Sequence, residues 1–244
     1  MSNPFVVAVD GPAGTGKSSA TKRIADLLNL IHVDTGALYR GVAYLCFEAG
    51  FTFDFDDSDH SAISKIAEKA KFEFKRVQNR NPRNRLYVNG RDITSMIRTP
   101  EMSMMASKVS AIPGVRGALK GLQRTLGLQA PSILEGRDIG TVIFPDAPIK
   151  FFLTASIDER AKRRLAELEA QDSDTISFEE LKEQIRLRDE GDSNRAIAPL
   201  KKAPDAIEID TTCYTLDQVV KLMAEQIRLV QNQKKDQSQK KDQE

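Results

Sequence analysis

Two patterns of apolar and polar residues alternate along the chain. Short runs of bulky apolar residues are typical of strands in a parallel sheet that is buried on both faces. The longer stretches between these runs have the spacing and start signals of amphipathic helices. The predicted strands are 5–9, 30–33, 132–135, 149–153 and 206–210, and the predicted helices are 18–28, 36–49, 59–70, 100–110, 113–126, two that begin at the capping residues Ser156 and Ser177, and 215–231. This alternation predicts an α/β fold with a central parallel sheet flanked by helices.

A second pattern lies between the helices at 59–70 and 100–110. Residues 71–75 and 85–88 alternate polar and apolar side chains, as strands with one buried face do. The Asn89-Gly90 pair that follows is a strong turn signal. These short strands predict a small antiparallel sheet that is separate from the main one.

The segment after the first strand carries the most specific chemical signal. Its sequence GPAGTGKS fits the pattern G-x-x-x-x-G-K-[ST], with a strand before it and a helix after it. Glycines allow the backbone N–H groups to converge on phosphate oxygens, Lys17 brings a positive charge, and Ser18 is the expected ligand of Mg²⁺. The pattern predicts a nucleoside triphosphate site formed by Gly11, Pro12, Ala13, Gly14, Thr15, Gly16, Lys17, Ser18 and Ser19.

Composition narrows the possible partners. The 36 Lys and Arg residues nearly balance the 35 Asp and Glu residues, so no basic field favours nucleic acid as a ligand. Cys46 and Cys213 are far apart and belong to no metal-binding cluster. No run approaches the roughly 20 apolar residues that cross a bilayer. We therefore expect small-molecule substrates, no membrane partner, a cytoplasmic location and a monomer.

A phosphate loop alone leaves several activities open. GTPases usually carry an Asn/Thr-Lys-x-Asp segment, which this chain lacks. The segment 31–34 only weakly resembles the metal-holding strand of large ATPases, because His32 interrupts its apolar run. A kinase of some small acceptor and a nucleotide-dependent switch with slow ATP hydrolysis both stay possible at this point.

Arginines supply the next signal, because phosphoryl transfer brings two polyanions together and needs fixed cations. Arg188, Asp192 and Arg195 have the spacing i, i+4 and i+7, which places them on one face of a helix. A solvated ion-pair face would have the same spacing. Arg137-Asp138 follows a strand end, where ligands bind in open α/β sheets, although an Asp-stabilised turn would look the same.

Three further segments identify a family. The segments DTGALYR at 34–40, EGRDIGT at 135–141 and RDEGDSNR at 188–195, together with the phosphate loop, resemble the bacterial cytidylate kinases. The resemblance runs from Phe5 to Ile227. Glu135 stands where the family more often has Asp, and Ser18-Ser19 follows Lys17 where some members have Gly-Thr.

The resemblance implies an ATP-dependent nucleoside monophosphate kinase of the P-loop kinase fold, which transfers the γ-phosphoryl group of MgATP to CMP or dCMP. Another acceptor, such as UMP or a small metabolite, remains the alternative. By the resemblance, the catalytic residues are Lys17, Arg137, Arg188 and Arg195. The residues implied for CMP are Thr35, Arg40, Ser107, Arg116, Arg137, Asp138, Arg188 and Asp192.

The resemblance also implies a division of the chain. A single kinase domain would cover 1–231, with a core formed by 1–35, 128–156 and 204–231. The monophosphate-binding arm with its antiparallel insert would be 36–127, and the lid region would be 157–203, with a mobile polar loop at 169–174. We expect the charged tail 232–244, which lacks apolar residues, to be disordered.

Overall fold

The structure is a computed structural model that describes residues 4–77, 84–170 and 176–241. The chain divides into two compact units, the first formed by 1–33 and 124–244 and the second by 34–123. The division into core, arm and lid stays a prediction.

Most elements lie close to their predicted positions. The strands are β1 (Val6–Asp10), β2 (Ile31–Asp34), β3 (Phe72–Arg76), β4 (Asn84–Val88), β5 (Arg91–Asp92), β6 (Ser132–Gly136), β7 (Ile149–Thr154) and β8 (Ile207–Asp210). The helices are α1 (Lys17–Leu28), α2 (Thr35–Glu48), α3 (His60–Lys69), α4 (Pro100–Ser110), α5 (Pro113–Gly127), α6 (Ile157–Glu169), α7 (Phe178–Asn194) and α8 (Leu216–Lys241).

The first unit is built on a central sheet with the strand order β2-β6-β1-β7-β8. Strand β1 pairs in parallel with β6 on one side and β7 on the other, and β7 pairs in parallel with β8. All five residues of β1 are buried. The apolar faces of α1 and α8 pack against this sheet through Ile24 and Met223. The predicted central parallel sheet flanked by helices is therefore confirmed.

The first unit also contains a helical hairpin formed by α6 and α7. Ser156 caps α6 by accepting a hydrogen bond from the Glu159 backbone N–H. Ser177 and Glu180 form a reciprocal capping box at the start of α7. The apolar residues buried between these two helices are Ala161, Leu168, Leu181 and Ile185. Residues 171–174 of the expected mobile loop lie outside the described residues.

The second unit contains the small antiparallel sheet, with the order β3-β4-β5. Asn89 and Gly90 have φ values of 51° and 82°, the left-handed pair that a tight hairpin turn requires. The turn leads into the short strand β5, which the sequence pattern did not predict. Phe72, Leu86 and Val88 bury one face of this sheet.

The C-terminal helix differs from expectation. Helix α8 runs to Lys241 and does not end near Gln231, so the predicted end of this helix is wrong. Residues 232–241 contain no Gly or Pro and are rich in Gln and Lys, which have good helix propensity and allow the last turns of α8 to continue. Residues 242–244 lie outside the described residues. Within the described part of the chain, no helix is both long and apolar enough to cross a membrane.

Candidate active site

The phosphate loop follows β1 and depends on glycines in the left-handed region. Gly11, Gly14 and Gly16 have φ values of 144°, 78° and 84°. A Cβ atom at Gly11 would lie 2.1 Å from the carbonyl oxygen of Leu153, and one at Gly14 would lie 2.9 Å from Cβ of Arg160. Only glycine fits both the dihedral angle and the space at Gly11, which the motif fixes, and at Gly14, which the motif leaves open.

Lys17 is the first residue of α1 and is buried beneath the loop. Its Nζ donates hydrogen bonds to the carbonyl oxygen of Pro12 and, over 3.3 Å, to Oγ1 of Thr15. Burial, followed by repulsion from Arg137, lowers the pKa of Lys17 well below its ordinary value. Bound phosphates would raise this pKa again, because they bring negative charge next to the lysine.

A hydrogen-bonded network joins the loop to the central sheet. The exposed Ser18 donates to Oε2 of Glu135 over 2.5 Å, and Nε2 of His32 lies 2.8 Å from Oε1 of the same carboxylate. Thr21 Oγ1 lies 3.2 Å from Oε1 of Glu135. The sequence pattern assigned no role to His32. The available signal was a histidine that interrupts a buried apolar strand.

The first unit brings the predicted arginines together with two aspartates. Arg137 Nε donates to Oδ2 of Asp192 over 2.8 Å. Arg195 lies 3.8 Å from Oδ1 of both Asp138 and Asp192. Burial alone would raise the pKa of Asp192, but Arg137 and then Arg188 outweigh burial and lower it. The arginines of this cluster could bind the oxygens of a polyanion.

Arg195 differs from its predicted position on a helical face. Helix α7 ends at Asn194, and Arg195 has an extended backbone with φ −61° and ψ 141°. The chain then folds back, so that the Leu200 N–H donates to the carbonyl oxygen of Asp192 over 2.8 Å. Arg195 Nε donates to the carbonyl oxygen of Ala198. The prediction that Arg195 lies on a helical face is therefore wrong, because α7 ends one residue before it and the backbone folds back through this contact.

Asp10, the last residue of β1, is a site residue that the sequence pattern missed. Its carboxylate accepts hydrogen bonds from the backbone N–H groups of Ile139 and Gly140 over 2.8 and 2.7 Å. These residues begin a π-helical turn, Ile139–Ile143, directly after Arg137-Asp138. Asp10 is only 4% exposed, and burial raises its pKa from 3.8 to about 6. The carboxylate therefore anchors the turn that presents the Arg137-Asp138 pair.

Two further contacts hold the phosphate loop from the outside, and sequence reasoning missed both. Arg160 donates through Nη1 to the carbonyl oxygen of Ala13 over 3.3 Å and to Oδ2 of Asp189 in α7 over 2.5 Å. Thr211, which follows β8, donates to the carbonyl oxygen of Thr15 over 3.0 Å. These side chains connect the loop to α7 and to the last strand.

In the second unit, Asp34 organises the start of α2. Its Oδ1 accepts a hydrogen bond from the Ala37 N–H over 3.0 Å, and its Oδ2 pairs with Nη2 of Arg40 over 2.9 Å. Thr35 is the first helical residue and is buried. The predicted residues Thr35 and Arg40 therefore both lie in the first two turns of one helix.

The second unit also brings Arg116 to the end of the helix that carries Ser107. Nη1 of Arg116 donates to the carbonyl oxygen of Ser110, in the last turn of α4, over 3.2 Å. The buried guanidinium lies over the ring of Tyr39 at 5.6 Å from its centre. Ser107 is half-buried in the same turn of α4. These contacts fix Arg116, which the sequence alone could not distinguish from an ordinary surface arginine.

Comparisons with known proteins agree with these motifs. A family model described as cytidylate kinase matches residues 7–229. A cytidylate kinase from Syntrophotalea carbinolica is 42% identical over 91% of this chain and 92% of its own length. A second cytidylate kinase, from Citrifermentans bemidjiense, is 43% identical over 95% of this chain and 97% of its own length.

The chain is also similar to part of a bifunctional enzyme and to a solved kinase structure. A bifunctional pantoate ligase/cytidylate kinase from Synechococcus sp. is 44% identical over 84% of this chain, which corresponds to 37% of that longer protein. Among solved structures, a gluconokinase from Sinorhizobium meliloti matches with a TM-score of 0.47 and 13% identity, over 95% of this chain and 97% of its own. The family assignment follows from the family model and the two full-length relatives: the chain belongs to the cytidylate kinase family.

Proposed function

We propose that the chain transfers the γ-phosphoryl group of MgATP to CMP or dCMP, with ADP and CDP or dCDP as products. A phosphate oxygen of the acceptor forms a bond to the γ-phosphorus, and the bond from that phosphorus to the bridging oxygen of ADP breaks. The observation that carries the proposal is the cluster of cations beside the phosphate loop, in a chain of this family. Lys17, Arg137 and Arg188 are close enough for both arginines to lower the pKa of the lysine.

The ATP polyphosphate is held by the loop backbone and the start of α1. In a loop of this type the backbone N–H groups converge on phosphate oxygens, and the positive end of the helix dipole adds to their attraction for phosphate. Lys17 adds a mobile positive charge for the β- and γ-phosphates. The residues proposed to surround the phosphates are Gly11, Pro12, Ala13, Gly14, Thr15, Gly16, Lys17, Ser18 and Ser19.

The donor set fits Mg²⁺ that arrives with the nucleotide. The Ser18 hydroxyl donates a hydrogen bond to Glu135, so the lone pairs of its oxygen are available to a cation. Within the described residues, no group of three or more His, Cys, Asp or Glu side chains could hold a metal. A protein that supplies one hydroxyl, with phosphates and waters completing the shell, suits Mg²⁺. When bound, the ion neutralises charge on the β- and γ-phosphates.

The acceptor is held by charge and read by hydrogen bonds. In the first unit, Arg137 and Arg188 bind phosphate, Asp138 accepts a hydrogen bond from the N4 amino group of cytosine, and Asp192 binds the ribose hydroxyls. Arg195 binds the transferring group. In the second unit, Thr35 and Arg40 bind the monophosphate, and Ser107 and Arg116 bind the base. These residues and roles are the ones that the resemblance to the cytidylate kinases implies.

The chain needs no strong nucleophile of its own. The acceptor phosphate is the nucleophile, so catalysis comes from alignment and from neutralisation of charge in the transition state. The proposed catalytic residues are Lys17, Arg137, Arg188 and Arg195. We further propose that the protein acts as a cytoplasmic monomer on small-molecule substrates alone.

The test measures ADP release from MgATP with CMP, dCMP, UMP, AMP, GMP or shikimate as the acceptor. We expect strong stimulation by CMP and dCMP and little by the others, because Asp138 requires the N4 amino group. Stimulation by a different acceptor would keep the ATP site but contradict the roles of Ser107, Arg116 and Asp138. Slow release that ignores every acceptor would favour a nucleotide-dependent switch.

A further inference from the structure

We propose that His32 is a positioning residue which, through Glu135, holds the Ser18 hydroxyl in the orientation that a ligand of Mg²⁺ needs. The inference rests on the proposed use of MgATP and adds a residue to that site. It concerns a histidine that the family motifs and the phosphate loop leave without a role.

Three elements meet at this network, all in the first unit. Ser18 and Thr21 lie on α1, His32 lies on β2 and Glu135 lies on β6. His32 is 8% exposed and Glu135 is 4% exposed, whereas Ser18 is exposed. The network therefore extends from the interior of the sheet to the surface where phosphates would bind.

The direction of the Ser18 hydrogen bond decides what the hydroxyl can do. A serine hydroxyl has one hydrogen and two lone pairs. When the hydrogen points to Oε2 of Glu135, as the 2.5 Å contact requires, the lone pairs face other directions and can bind a cation. A hydroxyl that rotated away would direct its hydrogen towards the cation and repel it.

Glu135 can accept this hydrogen bond only if its carboxylate keeps its orientation. A free glutamate side chain samples many rotamers, and its fixation costs entropy. Nε2 of His32 is 2.8 Å from Oε1 and fixes the second oxygen while Oε2 faces Ser18. The imidazole is a suitable anchor because it is rigid and its strand is part of the central sheet.

Thr21 is a weaker anchor for the same oxygen. Its Oγ1 lies 3.2 Å from Oε1, but the carbonyl oxygen of Lys17 is nearer, at 2.9 Å, and competes for the single hydroxyl hydrogen. The same Oγ1 lies 3.1 Å from Nε2 of His32. His32 is closer to Oε1 than Thr21 is. We therefore assign the main orienting contact to His32.

The test compares two variants of equal side-chain length. His32→Gln keeps an N–H donor at the ε position, and His32→Met lacks it. Ser132→Ala is the matched control, because Ser132 is buried on the same strand as Glu135 and donates to the carbonyl oxygen of Gly127 at the opposite end. Calorimetry gives the Kd of β,γ-imido-ATP for each full-length protein, once with Mg²⁺ and once with EDTA.

We expect Mg²⁺ to lower the Kd of the nucleotide in the wild type. In His32→Met the ratio of the Kd in EDTA to the Kd in Mg²⁺ should be about tenfold smaller, the size typical of outer-shell partners of a metal. Binding in EDTA should stay within about twofold, because the loop backbone is unchanged. His32→Gln should recover most of this ratio, and Ser132→Ala should retain all of it. If circular dichroism shows that His32→Met is unfolded, His32→Asn replaces it, since its shorter amide does not reach Glu135.

Two results would overturn the inference. One is that Mg²⁺ strengthens nucleotide binding by His32→Met as much as it does in the wild type. The other is that His32→Met loses the same affinity with Mg²⁺ as with EDTA. The acceptor panel separates this test from the proposed function. If no acceptor stimulates the wild type but the effect of Mg²⁺ on nucleotide binding still depends on His32, the inference stands and the choice of acceptor fails.

Discussion

Asp10 allows a quantitative test of the site's electrostatics. Its carboxylate is buried at the end of β1 and accepts two backbone hydrogen bonds from the turn after Arg137-Asp138. The desolvation penalty exceeds the gain from these bonds, so the pKa rises from 3.8 to about 6. Asp10→Asn removes the titration while keeping the shape of the side chain.

The sign and size of the effect follow from proton linkage. The folded state keeps the Asp10 proton up to a pH of about 6, whereas the unfolded state loses it near pH 3.8. The carboxyl therefore lowers the free energy of unfolding as the pH rises between these values, and the loss is complete above them. A pKa shift of this size lowers the free energy of unfolding by about 3 kcal/mol at neutral pH. Roughly 2 kcal/mol of it develops between about pH 4 and pH 7, because the unfolded carboxyl is already half-ionised at the lower pH.

Urea unfolding of the wild type and of Asp10→Asn across this range measures the effect. We expect the variant to gain stability relative to the wild type by about 2 kcal/mol as the pH rises from about 4 to 7. Replacement of one carboxylate oxygen by an amide adds an offset that does not depend on pH. Ser132→Ala, which changes no titratable group, should differ from the wild type by a constant amount. Parallel stability curves for Asp10→Asn and the wild type would refute the raised pKa.

Three other predictions concern the phosphate loop and the base. Lys17→Ala should lower turnover by orders of magnitude and leave the circular dichroism spectrum intact, since the charge acts on transferring phosphates; unchanged turnover would remove Lys17 from the site. Asp138→Ala should reduce kcat/KM more for CMP than for UMP, because the N4 amino group loses its acceptor; equal losses would separate Asp138 from the base. Gly11→Ala should destabilise the fold by several kcal/mol in thermal or urea unfolding, because its Cβ would meet the Leu153 carbonyl at 2.1 Å. Gly117→Ala, in open space on α5, is the control and should raise stability by about 0.5–1 kcal/mol; similar losses in both would contradict the steric reading.

Local sequence signals predicted most elements of the fold. Buried apolar runs and cap residues act over a few neighbouring residues, so the strands of the central sheet and the starts of α6 and α7 could be identified without tertiary information. The Asn89-Gly90 turn was equally accessible, because its left-handed dihedral angles are a local property. The errors lie at helix ends and at the short strand β5, which the pattern did not predict. The last turns of α8 depend on weak propensities, and the end of α7 is set by a backbone contact with Leu200.

The chemistry divides in the same way. The sequence by itself determined the phosphate loop, because its glycine spacing, lysine and hydroxyl are consecutive and their backbone geometry is local. Only the tertiary structure decided which distant side chains serve it. Glu135 reaches Ser18 across 117 residues, and Asp10 reaches Ile139 across 129. Such contacts arise because neighbouring strands of a parallel sheet bring their carboxyl ends to one edge. The order of the strands along the chain does not indicate which side chains will meet there.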